Sequence, residues 1–183
     1  MPRLTPIDPA RAEGKAKALL DGVQKAFGRA PNLLRTMAHS PAALQAHLDF
    51  GKALGSGVLD AKTREAIALA VAGENGCEYC ASAHTAIGGL LGVDAAELAK
   101  NLAGRSGDPK VAAILRFARA VIAKRGWVSD ADLRIARLAG VGDAEITEVV
   151  AVVADSIFTN YFNHVAETEV DFPPVGTDRK AAA

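Results

Sequence analysis

Glu65-Ala-Ile-Ala-Leu-Ala-Val-Ala-Gly73-Glu-Asn-Gly76-Cys77-Glu-Tyr79-Cys80-Ala-Ser-Ala-His84 holds both cysteines of a 183-residue chain. The run from Glu65 to Gly73 is aliphatic or small apart from its first residue, which reads as a buried helix carrying one acid. Gly73 to Gly76 then reads as a stop, and a second helix is expected from about Cys77 to Leu91. On that helix Cys77, Cys80 and His84 stand at i, i+3 and i+7, one face. A helix mouth stabilises thiolate through free backbone N–H groups and the helix dipole, and an imidazole one turn behind Cys80 can exchange its proton. Glu65, about two turns before the end of its own helix, is expected to come back against His84 after an antiparallel return. A carboxylic acid among aliphatic residues suits a proton relay.

Other readings of the same residues stay open at this level. Two cysteines can be packed as small hydrophobes or form a structural disulfide. Cys77, Cys80, His84 and Glu65 also include the ligand types of a zinc site, although no second ligand pair follows in the sequence. Glu65 could be ion-paired on the surface with Arg64 or Lys62.

Outward from this stretch the chain reads as all-α. Alanine dominates an apolar fraction of 50%, aromatics make up only 5%, and no period-two alternation appears. Helix starts are marked at Asp8-Pro9, Asn32, Pro41, Asp60, Asp94, Asp108-Pro109, Ser129 and Asp143, and stops at Gly28, Gly55, Gly92, Gly126 and Gly140. A single domain is expected over 1–183, with a folded helical core over about 8–172 and flexible arms at 1–7 and 173–183. At an offset of 83, Asp60, Ala61, Glu65, Ala68 and Thr85 match Asp143, Ala144, Glu148, Ala151 and Thr168, while Cys77 and Cys80 fall on Asn160 and Asn163. This echo suggests an internal repeat of two helical hairpins, one armed with thiols and one with amides.

Lys plus Arg equals Asp plus Glu at 21 each, so no net field draws nucleic acid or an acidic membrane. No apolar run is long enough to span a bilayer, and the N-terminus lacks a signal-peptide core, so a soluble cytoplasmic protein is expected. In a reducing compartment a Cys-x-x-Cys pair is more often catalytic or metal-binding than a permanent staple. No glycine loop, haem or flavin signature is evident, so no cofactor is expected; with no second ligand pair, no resident metal is expected either.

Glu, eleven residues, Cys-x-x-Cys, three residues, then His resembles the signature of the alkylhydroperoxidase D proteins, in the carboxymuconolactone decarboxylase superfamily of all-α proteins. The lead-in Leu59-Asp-Ala-Lys-Thr-Arg-Glu65 and the later Asn160-Tyr-Phe-Asn-His164 and Asp171-Phe-Pro also look like that superfamily, so the resemblance covers roughly residues 40–175. It implies a helical bundle of the alkylhydroperoxidase D-like type and a thiol-dependent peroxidase. Cys80 would attack a hydroperoxide, Cys77 would resolve the sulfenic acid, and Glu65 and His84 would move protons. A dithiol donor would then reduce the disulfide through the more exposed Cys77. The other activity of the superfamily, lactone decarboxylation, needs a proton acceptor and enolate stabilisation rather than a dithiol. A redox-sensing protein or general disulfide oxidoreductase is a third reading. One position departs from the best-known members: Tyr79 stands where they carry His, and its hydroxyl is an accessory candidate there. His164 is a second candidate imidazole. The resemblance also implies a homo-oligomer, trimer or hexamer, with a dimer left open by the sequence.

Overall fold

The computed structural model describes residues 1–177, and within them the chain forms nine helices and no strand. They are α1 (Gly14–Phe27), α2 (Asn32–Met37), α3 (Pro41–Leu54), α4 (Ala61–Asn75), α5 (Glu78–Leu90), α6 (Ala95–Leu102), α7 (Pro109–Ala123), α8 (Asp130–Leu138) and α9 (Asp143–Ala166). No helix among the described residues is long and apolar enough to cross a membrane.

Seven consecutive residues of α4, Ala66 to Ala72, are buried, so this helix is apolar all round and needs neighbours on every side. It finds them in α5, α6, α7 and α9. Ile67, Leu69 and Val71 are fully enclosed, and burying each contributes on the order of 1.5–3 kcal/mol. The ends are set locally. Asp60 Oδ1 accepts from the Thr63 N–H at 2.7 Å, and Gly76 closes the helix in the left-handed region at φ 70°. Gly73 lies inside the helix rather than at its stop. A Cβ there would stand 2.1 Å from the Leu102 carbonyl oxygen, so glycine is what lets α6 approach. The turn before α4 is held from a distance: the Glu148 carboxylate on α9 accepts from the Val58 and Leu59 N–H groups at 2.6 and 2.8 Å.

Around this axis the apolar residues fall into separate clusters. One joins α4, α7 and α9 through Ile67, Leu115, Phe117, Val149 and Val153. Another joins α1, α2 and α3 through Leu20, Val23, Met37 and Leu44, with Phe162 of α9 packed on it. A third surrounds Cys77 and Cys80 and is covered by Val170, Phe172 and Val175 of the segment after α9.

Three expectations change. The first helix begins at Gly14 rather than Pro9, because Asp8 Oδ1 closes a turn on the Ala10 N–H and Gly14 adopts φ 55°. The hairpin repeat is not formed: the turn at Gly76 corresponds at offset 83 to Thr159, which lies inside the uninterrupted α9. The echo at Asn163 has another meaning, given below. The arms are also tied down where described. The Arg3 N–H donates to the Ala166 carbonyl at 2.8 Å, the Ile7 N–H to the Arg35 carbonyl at 3.3 Å, and the Val175 N–H to Ser82 Oγ at 2.9 Å. The rest of the expected C-terminal arm, 178–183, lies outside the described residues.

Gly73→Ala should lower stability by about 1–3 kcal/mol through overpacking against Leu102. Gly89→Ala, where a Cβ meets open space on α5, should raise it by about 0.5–1 kcal/mol. Urea midpoints with unchanged slopes read both, and equal shifts of one sign would contradict the close-approach argument.

Candidate active site

Cys77 is the N-cap of α5. Its Sγ accepts from the Cys80 N–H at 3.3 Å, and the two cysteines are joined as a disulfide with Cα atoms 5.3 Å apart. Neither sulfur is on the surface, since Cys77 and Cys80 are 1% and 2% exposed. The expectation that Cys77 is the more accessible thiol is therefore corrected. Cys77 is tucked behind the Gly76 turn against the Ala72 cluster, and Cys80 is the one that lines a cavity.

That cavity, of about 480 Å³, lies on the seam between the α1–α3 cluster and the α4–α9 core. Its walls are mostly apolar, with Leu33, Leu34, Leu54 and Val152 inside and Phe27 and Leu90 at exposed positions. Such a volume suits a small organic molecule. A shallow depression of similar size on α8, lined by Asp130, Leu133, Arg134, Arg137 and Leu138, contains no thiol or imidazole.

Glu65 and His84 both face the cavity, and His84 Nδ1 meets Glu65 Oε2 at 2.7 Å. Arg64, the alternative partner for Glu65, donates instead to the Leu59 carbonyl. Burial works against the His84 imidazolium, but the charge of Glu65, its hydrogen bond and the more distant Asp155 outweigh it. The net effect raises the His84 pKa above 6.5. With Nδ1 committed to Glu65, Nε2 remains for exchange with a reacting group.

Tyr79 has a different setting from the one expected of a relay residue. Its hydroxyl donates to Asp171 Oδ1 at 2.8 Å and accepts from the Leu33 N–H at 3.0 Å. Burial, reinforced by the Asp171 carboxylate and opposed by the Leu33 N–H, pushes its pKa far above the ordinary phenol value. Asp171 also accepts from the Asn32 N–H at 3.0 Å and pairs with Arg29, whose guanidinium lies 4.6 Å over the Phe172 ring. Phe172 in turn meets Tyr79 edge-on at 5.8 Å. Tyr79 thus fastens the 169–175 strap over the disulfide. His164 does not line the cavity; it stacks on Tyr161 at 6.4 Å, and its Nε2 is buried without a partner.

Two features of the site escaped the sequence reading. Asn163 Nδ2 donates to Cys80 Sγ at 3.3 Å, so this one of the pairs matched at offset 83 touches across the site. The same amide can favour thiolate at Cys80 by donating to it. His47 of α3 and Asp155 of α9 form a second imidazole–carboxylate pair on the cavity wall, at 2.8 Å. A partial signal was present in the sequence: Asp155 closes the apolar run 149–154 that Glu148 opens. Among the described residues no group of three or more His, Cys, Asp or Glu side chains is arranged to hold a metal ion, and the zinc arrangement of Cys77, Cys80, His84 and Glu65 is not formed.

Residues 41–122 match the carboxymuconolactone decarboxylase family. An uncharacterized protein of Haemophilus influenzae is 60% identical over 45 residues, a match spanning 24% of this chain and 40% of that protein's length. Among solved structures, the alkylhydroperoxidase core of an uncharacterized peroxidase-related protein from Ralstonia eutropha superposes with a TM-score of 0.84 at 24% identity, covering 93% of this chain and 92% of that one. An uncharacterized peroxidase-related protein from Silicibacter gives 0.78 at 23% identity over 93% and 92%. A debrominase in complex with 2,3,4-tribromopyrrole gives 0.77 at 19% identity over 92% and 91%. At these identities the likeness shows the fold, which is the alkylhydroperoxidase D-like helical fold.

The role of Glu65 is open to direct measurement. By NMR titration, Glu65→Gln should lower the His84 pKa, because burial then faces less opposing charge, whereas Tyr79→Phe should leave it in place and speed amide exchange in the strap. Because the folded value is raised, the pair's contribution to stability is complete below about pH 6.5 and lost as pH rises through that raised value. The difference in Tm between wild type and Glu65→Gln should therefore narrow across that window. An unmoved His84 in Glu65→Gln would refute the assignment.

Proposed function

We infer that this chain, which carries the carboxymuconolactone decarboxylase family pattern over residues 41–122 and the alkylhydroperoxidase D-like fold, is a thiol-dependent peroxidase acting on organic hydroperoxides. The observation that carries the reading is the convergence of Cys80, already paired with Cys77, and the Glu65–His84 dyad on one apolar cavity.

In the reduced protein His84 takes the Cys80 thiol proton, and the thiolate, favoured by the α5 N-terminus and the Asn163 amide, attacks the terminal oxygen of ROOH. The O–O bond breaks, sulfur gains OH as sulfenic acid, and the alkoxide leaves as ROH after gaining a proton. Cys77 then displaces hydroxide from that sulfur, which departs as water with the Cys77 proton, and the disulfide forms. Two electrons have passed from the two thiols to the peroxide. A dithiol donor returns them by exchange. Because Cys80 is the sulfur on the cavity, the donor thiol is expected to enter there, which favours a slender dithiol arm over a broad protein surface. No metal or cofactor takes part in this sequence. The exposed stripe Val150, Phe158, Tyr161 and Val165 on α9 is the face we assign to self-association with further copies.

Cys80→Ser should abolish hydroperoxide consumption, whereas Cys77→Ser should leave one dimedone-trappable sulfenic acid per chain and turn over poorly. If both variants consumed peroxide at the parental rate, the reading would be wrong; lactone decarboxylation surviving the double variant would favour the other family activity. Tyr161→Asp should lower the mass seen by light scattering. An unchanged mass, or a wild type already monomeric, would remove the α9 interface.

A further inference from the structure

Cleavage of a peroxide by sulfur has a geometric requirement that one imidazole meets poorly. Attacking sulfur and leaving oxygen lie on opposite sides of the oxygen being attacked, so the base that takes the thiol proton is on the wrong side to protonate the departing alkoxide. A second acid across the cavity removes the difficulty.

The cavity wall carries a second imidazole. His47 comes from α3 and Asp155 from α9, elements different from those that carry Glu65, Cys80 and His84. Nδ1 of His47 is tied to Asp155 Oδ1 at 2.8 Å, and the ring tilts against Phe158 at 6.2 Å between centroids. The carboxylate fixes which ring nitrogen is left over, so Nε2 is the one available to the cavity. The His47 side chain is 18% exposed and lines the cavity. A pair serving only to tie α3 to α9 would have no need to stand on the wall of the cavity that holds Cys80. Asp155 also acts electrostatically on His84, so the two dyads share one field. The other charged or titratable groups on the same walls are Arg29, Arg64, Glu65 and Tyr79, of which Arg29, Glu65 and Tyr79 are committed to Asp171, His84 and the strap, and Arg64 to the Leu59 carbonyl.

We propose that His47, held by Asp155 and acting in its imidazolium form, is a second proton-transfer residue, giving its Nε2 proton to the alkoxide as the O–O bond breaks while neutral His84 takes the proton of Cys80. The inference rests on the peroxidase reading. The proton account closes: His84 gains one proton, His47 loses one to ROH, and exchange with solvent restores both before the next turnover. Sulfur supplies the electron pair, so no further co-reactant is required.

A leaving-group comparison tests this with the full chain. Reduced protein is mixed with tert-butyl hydroperoxide, whose alkoxide needs a proton, or with peracetic acid, whose carboxylate does not, and disulfide formation is followed by mass spectrometry. His47→Gln should lose about 100-fold with the alkyl hydroperoxide and less than about 3-fold with the peracid. Asp155→Asn, which keeps the ring but loosens it, should show the same selectivity at smaller size. Melting temperature and the Cys80 alkylation rate establish that each variant is folded with its thiol site intact. An equal loss on both oxidants, or no loss on either, overturns the second dyad while leaving the peroxidase reading standing. A wild type inert towards the alkyl hydroperoxide overturns both.

Discussion

A carboxylate placed in the helix that the rest of the protein encloses is the constraint from which the site follows. α4 is apolar around its whole circumference, and Glu65 is the charged residue at the start of its buried run. A charge in that position needs a partner. The turn at Gly76 returns the chain as α5 and sets His84 against Glu65. The same turn leaves Cys77 at the mouth of α5 and Cys80 one turn inside, so the packing that enclosed the acid also positioned the sulfurs.

How far this was legible in the sequence depends on the range of the interaction. Caps and stops act within four residues, and Asp60, Asp94, Asp108 and Ser129 all begin helices where their side chains bind the backbone three positions on. The early start placed at Pro9 failed because Asp-Pro opens a turn as readily as a helix, and the choice lay with Gly14. The Glu65–His84 meeting spans 19 residues and one turn, which helical periodicity reaches. His47 and Asp155 are 108 residues apart, and Asn163 and Cys80 are 83 apart. Nothing local joins these; only the packing of α9 across α3 and α5 does.

Tyr79 illustrates how a residue beside the cysteine pair can take a structural task. The helix still presents the residue beside the second cysteine. A buried phenol keeps its proton and seeks a partner for it, and the carboxylate of Asp171 supplies one. The phenol beside Cys80 therefore serves as a fastening of the C-terminal strap. The echo between Cys80 and Asn163 shows the converse: a numerical coincidence in sequence marked residues that touch, although the repeated hairpins it suggested are absent.

The cavity also separates its enclosed polar cluster from what is fitted around it. Cys80, Glu65 and His84 belong to α4 and α5, whose neighbours leave little freedom to change. Phe27 and Leu54, by contrast, lie at the C-terminal ends of α1 and α3, and Leu90 ends α5. Helix ends accept new side chains without reopening the core. The shape the cavity admits can therefore be altered at its rim while the enclosed Cys80, Glu65 and His84 arrangement keeps its geometry.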